Sequence, residues 1–344
     1  MRSTGIRILN RIFKHLDAQV VRRSWLDAQL NPPQSNSKAT LSRSAAQAQL
    51  TDDVQSGCRR ISDLQELDAL LKEVEAAAKV SDDAMREVFK SFEFLPDASD
   101  LPADPFSADY SNYQFNLYRT IANREYSPAN EMSDWVDVQA ATRVPFPYYT
   151  QSFRTVSDHL LMTGLIIKTL ALPQGARILE FGPGWGNTTL ALCQMGYQVT
   201  AIDIEQRFLD VIGERCRGLP LEPLLIRNDF SAIHELQAQY DAILFYESFH
   251  HCSDHYSLML GLKERLSAHG QVMFASEPIT DGFPMPWGVR TDGMSLWAIR
   301  NFGWLELGFT ESYFREAMRR AGFIVEKHTF EITDLGKIFV ARAN

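Results

Sequence analysis

The sequence predicts an α/β protein with a Rossmann-like, doubly wound sheet of seven strands, preceded by a mainly helical N-terminal region. From about residue 152 onward, short apolar segments alternate with helical patterns, which is typical of parallel strands joined by crossover helices. The last two apolar segments, 324–329 and 337–341, are joined by too short a link for a helix. The last strand should therefore run antiparallel, in a hairpin at the sheet edge.

The composition excludes several classes of protein. The chain has 344 residues, of which 45% are hydrophobic and 22% are charged, the mix of an ordinary globular protein. It contains no run of 18 apolar residues, so no membrane-spanning helix is expected. Its four cysteines have no zinc-site spacing, which favours a reducing, cytoplasmic location.

The charge is distributed unevenly along the chain. Residues 1–60 hold ten Lys or Arg and four Asp or Glu, although the whole chain has a formal net charge of −9. The acidic remainder argues against a nucleic-acid partner, because phosphate contacts need clustered basic side chains. On a helix over residues 6–20 the apolar and basic side chains fall on opposite faces. That pattern predicts peripheral contact with the inner face of a membrane, and the alternatives are docking on the protein's own body or a frayed tail.

The sequence also predicts a division into segments. A basic amphipathic leader covers residues 1–30, and a flexible linker rich in Pro, Ser, Gln and Ala covers residues 31–60. A helical cap region follows over residues 61–150, and the α/β domain covers residues 151–344. An aromatic insertion over residues 278–309 follows the fifth strand of this domain and should form a lid.

A glycine-rich turn follows the first strand of the domain and opens the next helix. It reads Glu180-Phe-Gly182-Pro-Gly184-Trp-Gly186, and its glycines allow a tight turn and a close approach of backbone to a ligand. The second strand ends in Asp203, whose carboxylate can accept hydrogen bonds from both hydroxyls of a ribose.

The next two strands end in further polar and aromatic residues. The third leads into Asp229 and Phe230, which offer an acceptor and an aromatic edge to an adenine. The fourth leads into Glu247, His250 and His251. Parallel strands of a doubly wound sheet place their ligand at these ends.

The spacing of the glycines separates two classes of nucleotide site. A dinucleotide-binding turn reads GxGxxG, but the sixth position counted from Gly182 is Asn187. The order E-x-G-x-G-x-G, then acids after the second and third strands, resembles the class I S-adenosylmethionine-dependent methyltransferases over roughly residues 152–344.

The resemblance implies S-adenosylmethionine as cofactor, and it assigns a role to each residue of the pattern. The three glycines line the methionine end, Glu180 helps to hold its amino group, and Glu247 belongs to the same site. Asp203 binds the ribose, and Asp229 and Phe230 flank the adenine.

The acceptor of the methyl group is less well defined by the sequence. His250 or His251 is predicted as the base that deprotonates a hydroxyl, with a structural role for both as the alternative. A divalent metal held by Glu247, Asp254 and these histidines is a further alternative, but no metal is expected.

Aromatic and basic residues near the site suggest the class of acceptor. The residues predicted to bind it are Tyr148, Tyr149, Trp287, Arg290, Trp297 and Trp304. Flat aromatic faces beside Arg suit a sugar or another polar substrate, although the same side chains could pack inward. The prediction is O-methylation of a sugar or glycan hydroxyl, broadly similar to bacterial methyltransferases of surface glycans. A soluble small-metabolite methyltransferase and a non-catalytic scaffold subunit are the alternatives, and the oligomeric state is not predicted.

Overall fold

The computed structural model of the chain describes residues 59–61, 63–94, 99–132 and 136–344. The predicted leader, residues 1–30, and nearly all of the predicted linker, residues 31–60, lie outside the described residues. None of the described helices combines the length and the apolar character that a membrane span requires. Membrane contact through residues 6–20 stays a prediction.

The regular elements alternate along the α/β domain as the sequence predicts. The strands are β1 (Arg59–Ile61), β2 (Phe92–Phe94), β3 (Arg177–Phe181), β4 (Gln198–Asp203), β5 (Leu224–Arg227), β6 (Tyr240–Tyr246), β7 (Leu266–Ala275), β8 (Trp287–Val289), β9 (Leu307–Phe309), β10 (Phe323–Thr329) and β11 (Lys337–Ala343). The α-helices are α1 (Leu64–Ala78), α2 (Asp82–Lys90), α3 (Ala108–Ala122), α4 (Val138–Thr142), α5 (Phe153–Leu170), α6 (Asn187–Gln194), α7 (Gln206–Cys216), α8 (Ala232–Glu235), α9 (His255–Leu262), α10 (Gly293–Asn301) and α11 (Glu311–Arg320).

Seven strands form the central sheet in the order β10-β11-β7-β6-β3-β4-β5. Strands β3 to β7 pair in parallel, and β11 runs antiparallel to both of its neighbours. The reversal of strand order between β3 and β6 places the carboxyl ends of β3, β4, β5 and β6 around one crevice. This topology confirms the predicted fold class, including the antiparallel last strand.

Local sequence signals set the beginnings of the helices. Ser107, Ser152 and Thr310 each accept a hydrogen bond through the side chain from a backbone N–H in the first turn of α3, α5 and α11, which satisfies a donor that the helix itself leaves free. Helix α6 has no such side chain, because Gly186 precedes it at φ +71°. The N-terminus of α6 therefore begins directly from the glycine-rich turn.

The two faces of the sheet are buried against different partners. Successive residues of a strand point to opposite faces. Ile178 thus joins the core under α5 and α6, whereas Leu179 joins the core shared with α9, α11 and the cap helices. Aromatic side chains dominate the second core, where Phe245 and Phe274 stack at a centroid distance of 5.1 Å. The helical N-terminal region is therefore continuous with one face of the domain.

The contact between the cap and the insertion uses buried hydrogen bonds. The hydroxyl of Tyr110 donates to the backbone oxygen of Trp287 (2.8 Å), and that of Tyr118 donates to the backbone oxygen of Gly303 (2.6 Å). The side-chain oxygen of Gln114 accepts from the backbone N–H of Val289 (3.1 Å). Because these groups have little or no access to water, their pairing fixes the insertion against α3.

The β1–β2 pair is a feature that the sequence does not predict in this region. Two three-residue strands pair in parallel beside α1 and α2. Such short strands carry too little alternation to be recognised from a pattern. The division of the chain at residues 60 and 150 stays a prediction.

We expect Gln114→Ala to destabilise the protein by about 1–3 kcal/mol, because it leaves the buried N–H of Val289 without an acceptor. The free energy of unfolding in urea measures this loss. Gln65→Ala, at an exposed position of α1, is the matched control, with an expected change within about 0.5 kcal/mol. Equal stability of the two variants would contradict the assigned role of Gln114.

Candidate active site

A cavity of about 470 Å³ opens at the carboxyl ends of β3, β4, β5 and β6. Residues from the domain, the cap and the insertion line it, so it lies where these three regions meet. Its aromatic walls are Tyr126, Phe146, Tyr149, Phe181, Trp185, Phe208, Phe230 and Trp304. The size falls in the range of small-molecule sites.

The glycine-rich turn forms one wall of this cavity. Gly182 and Gly184 line it, with φ of +61° and +53°, a conformation that side chains other than glycine's rarely adopt. A Cβ at Gly182 would lie 2.6 Å from the Cβ of Ser248, and one at Gly186 would lie 2.4 Å from Ile212. No atom lies within 4 Å of a Cβ built at Gly184, so that glycine leaves room for a ligand.

Asp203 stands at the end of β4 and lines the cavity beside the turn. Its Oδ2 accepts from the backbone N–H of Gly184 (3.2 Å), and its Oδ1 accepts from that of Glu205 (2.8 Å). Burial raises the pKa of Asp203 to about 7, although the backbone donors oppose the shift. The carboxylate is thus held in place and keeps acceptor capacity for a ribose.

Glu180 does not reach the cavity. It is buried beneath the turn, and its Oε2 accepts from the hydroxyl of Thr189 on α6 (2.6 Å). Burial raises the pKa of Glu180 to about 7. Its contacts support the turn from below, and the predicted role at the amino group would require a bridge to the ligand.

Asp229 and Phe230 follow β5 and line the cavity, as does Ile202 at the end of β4. The Oδ1 of Asp229 accepts from the backbone N–H of Ser231 (2.8 Å). The ring of Phe230 packs on that of Phe181 at a centroid distance of 5.7 Å. Asp229 thus offers a hydrogen-bond acceptor, and Phe230 offers an apolar surface next to it.

Glu247 follows β6 and faces the cavity with about a third of its side chain exposed. Its backbone has φ +49°, and its carboxylate lies 3.3 Å from Nδ1 of His159. Restricted solvation, and then the charges of Glu277 and Glu306, raise the pKa of Glu247 to about 8.

The two adjacent histidines after β6 have different surroundings. His251 lines the cavity, whereas His250 points away from it and is buried. The Nδ1 of His250 lies 2.8 Å from Oε2 of Glu277, and that of His251 lies 2.7 Å from the backbone oxygen of Leu305. The structure therefore does not bring His250 to the cavity, although the sequence predicts it as an alternative base.

A carboxylate of the cap approaches His251. Glu131 lines the cavity, and its Oε2 lies 3.5 Å from Nδ1 of His251. Its Oε1 accepts from the backbone N–H of Leu305 (2.8 Å). Burial raises the pKa of Glu131 to about 7, against the opposing effects of His251 and Leu305.

His250, His251 and Glu306 could each offer one ligand atom to a metal ion, with all three atoms within 4.8 Å of one another. The guanidinium of Arg290 already supplies a positive charge beside these residues, because its Nη1 lies 3.4 Å from Oε2 of Glu306. A guanidinium at that distance repels a second cation. Glu306 is thus already paired with a cation, and the expectation that the site holds no metal stays a prediction.

The structure separates the residues that were predicted to bind the acceptor. Tyr149 and Trp304 line the cavity. Tyr148 does not line it, and Trp297 packs against Phe89 and Phe302 instead.

Trp287 and Arg290 also lie away from the cavity. The Trp287 side chain is buried, with its ring against Tyr110 and its Nε1 donating to the backbone oxygen of Pro105 (2.7 Å). Arg290 is held by Asp292 and Glu306. Trp287 and Trp297 therefore pack on the cap, in agreement with the alternative prediction that these side chains pack inward.

Sequence reasoning missed several residues of the cavity. Tyr126, Glu131 and Trp185 all line it, and Glu277 supports the turn after β6. Trp185 lies inside the recognised glycine motif, so its position was a usable signal. The cap residues carry no such signal, because nothing local in their sequence relates them to the ends of the strands.

In the described part of the chain, the Asp and Glu residues that line the cavity are not matched by Lys or Arg. Five carboxylates line the cavity, at Glu131, Asp203, Asp229, Glu247 and Asp254. No Lys or Arg lines it among the residues that the structure describes. A neutral or positively charged ligand is therefore favoured over an anion.

The residues present fit S-adenosylmethionine. Gly184 leaves open space above the turn, Asp203 can take the ribose, and Phe230 can take the adenine. The acidic lining suits the positive sulfonium and ammonium groups of this cofactor.

Comparison with known proteins agrees with this fit. Residues 178–270 match the family model described as "Methyltransferase domain". The "Uncharacterized methyltransferase YrrT" of Bacillus subtilis is 29% identical over 132 residues, which cover 38% of this chain and 56% of that protein. The "Ribosomal RNA small subunit methyltransferase" of Arabidopsis thaliana is 28% identical over 89 residues, covering 24% and 25%. The chain thus spans between about a quarter and just over half of the length of these relatives.

Two solved structures are similar to this chain at low identity. The 1,6-didemethyltoxoflavin-N1-methyltransferase of Burkholderia thailandensis, solved with S-adenosylhomocysteine, has a TM-score of 0.41 and 18% identity, and the match covers 71% of this chain and 93% of that one. An S-adenosylmethionine-dependent methyltransferase from Mesorhizobium loti has a TM-score of 0.43 and 21% identity, covering 53% and 97%.

The family match supports the predicted superfamily, and the lining of the cavity fits the predicted cofactor, whereas the surface-glycan type stays a prediction. The strand order, the glycine-rich turn and the matched family model agree over the same stretch of chain. Residues 178–270 thus resemble a methyltransferase domain, and the cavity beside them has a lining that fits S-adenosylmethionine.

Proposed function

We propose that this protein transfers a methyl group from S-adenosylmethionine to a hydroxyl of a compact, uncharged acceptor. The observation that carries the proposal is that one cavity joins the glycine-rich turn and Asp203 to His251. The cofactor supplies an electrophilic methyl group on a sulfonium. The protein must then bind the acceptor, align its oxygen with that methyl group and accept its proton.

His251 is suited to take this proton. If the Nδ1–H of a neutral His251 donates to the backbone oxygen of Leu305, the lone pair lies on Nε2. Glu131 lies on the Nδ1 side of the ring, where its charge stabilises the imidazolium that forms. The proton thus moves from the acceptor hydroxyl to Nε2 as the new C–O bond forms and the C–S bond breaks. Here the backbone oxygen of Leu305 takes the place that the carboxylate holds on Nδ1 in known catalytic triads, and Glu131 acts on the same side of the ring through its charge.

The lining of the cavity supports an acceptor without phosphate. Its ionisable lining is acidic at five positions, and no Lys or Arg faces it among residues 59–61, 63–94, 99–132 and 136–344, so an anionic acceptor would find no cation there. This weighs against RNA as the acceptor, despite the similarity to a relative named for ribosomal RNA. It favours a neutral hydroxylated molecule between the aromatic rings of Tyr126, Tyr149 and Trp304.

The acceptor is expected to be small. The insertion contributes Trp304 to the cavity, whereas Trp287 and Trp297 pack elsewhere. This favours one sugar unit or a small metabolite over a long run of a glycan chain. A terminal sugar of a glycan stays compatible with the cavity, and peripheral membrane contact stays part of the sequence prediction.

Methyl-labelled S-adenosylmethionine, incubated with the protein and a lysate of the source cells, tests the proposal. We expect the label in neutral, hydroxylated small molecules or in the terminal sugar of a glycan, as esterase-resistant O-methyl groups. Label confined to RNA or to phosphorylated metabolites would contradict the charge argument. A protein that binds the cofactor but labels no fraction would favour the scaffold alternative.

We expect His251→Asn to lower kcat by about 10²–10⁴-fold, because the variant loses the base and keeps a side chain of similar shape. The affinity for S-adenosylmethionine, measured by calorimetry, should change less than about 3-fold. His328→Asn, at a histidine beside Glu326 on β10, is the control and should retain full turnover. Wild-type kcat in His251→Asn would return this histidine to a structural role.

Asp203→Asn should weaken S-adenosylmethionine binding by at least about 10-fold, since hydrogen bonds to a charged acceptor contribute about 1.5–3 kcal/mol. The pKa of Asp203 is raised to about 7, so wild-type affinity should rise with pH up to about 7 and then level off. Between about pH 4 and pH 7 the carboxyl of Asp203 is ionised in the unfolded chain but protonated in the folded one. The ligand-free protein should therefore lose stability as the pH rises through this range.

Calorimetry and thermal unfolding across pH 5 to 8.5 measure both trends. In Asp203→Asn the rise of affinity should flatten, whereas the loss of stability should only become shallower, because the pKa values of Glu131, Glu180 and Glu247 are also raised. The control is Asp241→Asn. Its carboxylate accepts from the backbone N–H of Arg177 at the amino ends of β3 and β6, away from the cavity. It should lose stability and keep its cofactor affinity. An unchanged affinity in Asp203→Asn would remove the ribose assignment.

A further inference from the structure

We propose that Glu277 is a positioning residue for methyl transfer, and that its carboxylate holds the turn after β6 so that His251 faces the cavity. This inference rests on the proposed function for its kinetic consequence, although its structural basis is independent of the acceptor. The turn consists of residues 248–251, and its last three form a 3-10 helix. Glu277 itself does not line the cavity.

Both oxygens of the Glu277 carboxylate are fully engaged by this turn. Oε1 accepts from the backbone N–H groups of Ser248 and Phe249, each at 2.9 Å. Oε2 accepts from the backbone N–H of His250 at 3.2 Å and lies 2.8 Å from its Nδ1. Three consecutive backbone donors and one ring nitrogen therefore converge on a single side chain.

The energetics of the carboxylate agree with this geometry. The side chain of Glu277 has no exposed surface. Burial alone would raise its pKa, but His250 and the backbone N–H groups outweigh burial and lower it. The carboxylate is therefore ionised at neutral pH, and its charge strengthens all of these hydrogen bonds.

The backbone directs Glu277 beneath the turn. Ser276, at the end of β7, has φ +54°, and its backbone N–H donates to the oxygen of Lys337 on β11. The neighbouring strand β6 ends in the same way, since Glu247 has φ +49° and donates to the oxygen of Ala275. Both strand ends thus adopt a conformation that non-glycine residues rarely accept, and pairing with adjacent strands holds them there.

The held turn contacts both halves of the site. Ser248 donates through Oγ to the backbone oxygen of Phe181 (2.9 Å), next to Gly182. At the other end, His251 reaches the backbone oxygen of Leu305. Displacement of the turn would therefore move the base relative to the cofactor loop.

The same carboxylate begins a series of polar contacts that leads into the insertion. Nε2 of His250 lies 3.7 Å from Oε2 of Glu306, which lies 3.4 Å from Arg290. Arg290 in turn lies 3.0 Å from Asp292 at the start of α10. This series gives His250 and Arg290 a role that is distinct from substrate contact.

Glu277→Gln tests the inference with minimal change of shape. The amide keeps an oxygen for Ser248 and Phe249, but its NH₂ group then faces the N–H of His250. With S-adenosylhomocysteine bound, we expect amide hydrogen exchange at His250 to accelerate at least about 10-fold, and kcat to fall at least about 10-fold. The affinity for S-adenosylhomocysteine should change less than about 3-fold.

A second variant and a control complete the experiment. Glu277→Ala should accelerate exchange at all three amides. Glu311→Gln, which breaks ion pairs with Arg315 and Lys327 on the outer surface, should leave exchange at residues 248–250 and kcat unchanged. Wild-type exchange at His250 in Glu277→Gln would overturn the inference, as would an equal loss of kcat in Glu311→Gln. If the wild-type protein methylates no acceptor, the exchange measurement still decides the inference, whereas the proposed function fails.

Discussion

The arrangement of the site depends on the close approach of two turns, one after β3 and one after β6. Gly182 lies so near Ser248 that a Cβ there would be 2.6 Å from the Cβ of the serine, and the serine hydroxyl bonds to the carbonyl just before this glycine. Because the turns touch, the cofactor loop and the turn that carries His251 form adjacent walls of one cavity. Asp203 extends the contact to β4 through the N–H of Gly184. A larger residue at position 182 would separate the two turns and open the cavity.

The sheet and the cofactor half of the site could be predicted because the signals are local. Alternating apolar segments define parallel strands, and parallel strands must end at the same edge. An acid that directly follows a strand, such as Asp203 or Asp229, is therefore placed by the fold without any knowledge of side-chain packing. Glu180 shows the limit of this reasoning. It belongs to the same motif, yet its position inside the strand turns its carboxyl toward Thr189 and away from the cavity.

The acceptor half could not be predicted, because its residues are brought together by tertiary packing. An aromatic insertion that binds a substrate and one that packs on a helix have the same composition, and Trp287 proved to be covered by the cap. His250 and His251 are neighbours in sequence, but they point to different partners. Glu277 and Leu305, each more than 25 residues away, distinguish them. Glu131 lies still further from His251 and precedes the domain altogether.

Three consecutive residues of the insertion explain how these distant parts form one site. Trp304 lines the cavity, the backbone of Leu305 bonds to both Glu131 and His251, and Glu306 lies between His250 and Arg290. The cap carboxylate and the turn after β6 are thus aligned by one stretch of backbone. The buried aromatic side chains of the insertion hold that stretch against α3. The insertion therefore acts on the site mainly through backbone atoms at its end, and its tryptophans serve largely to fix where that backbone lies.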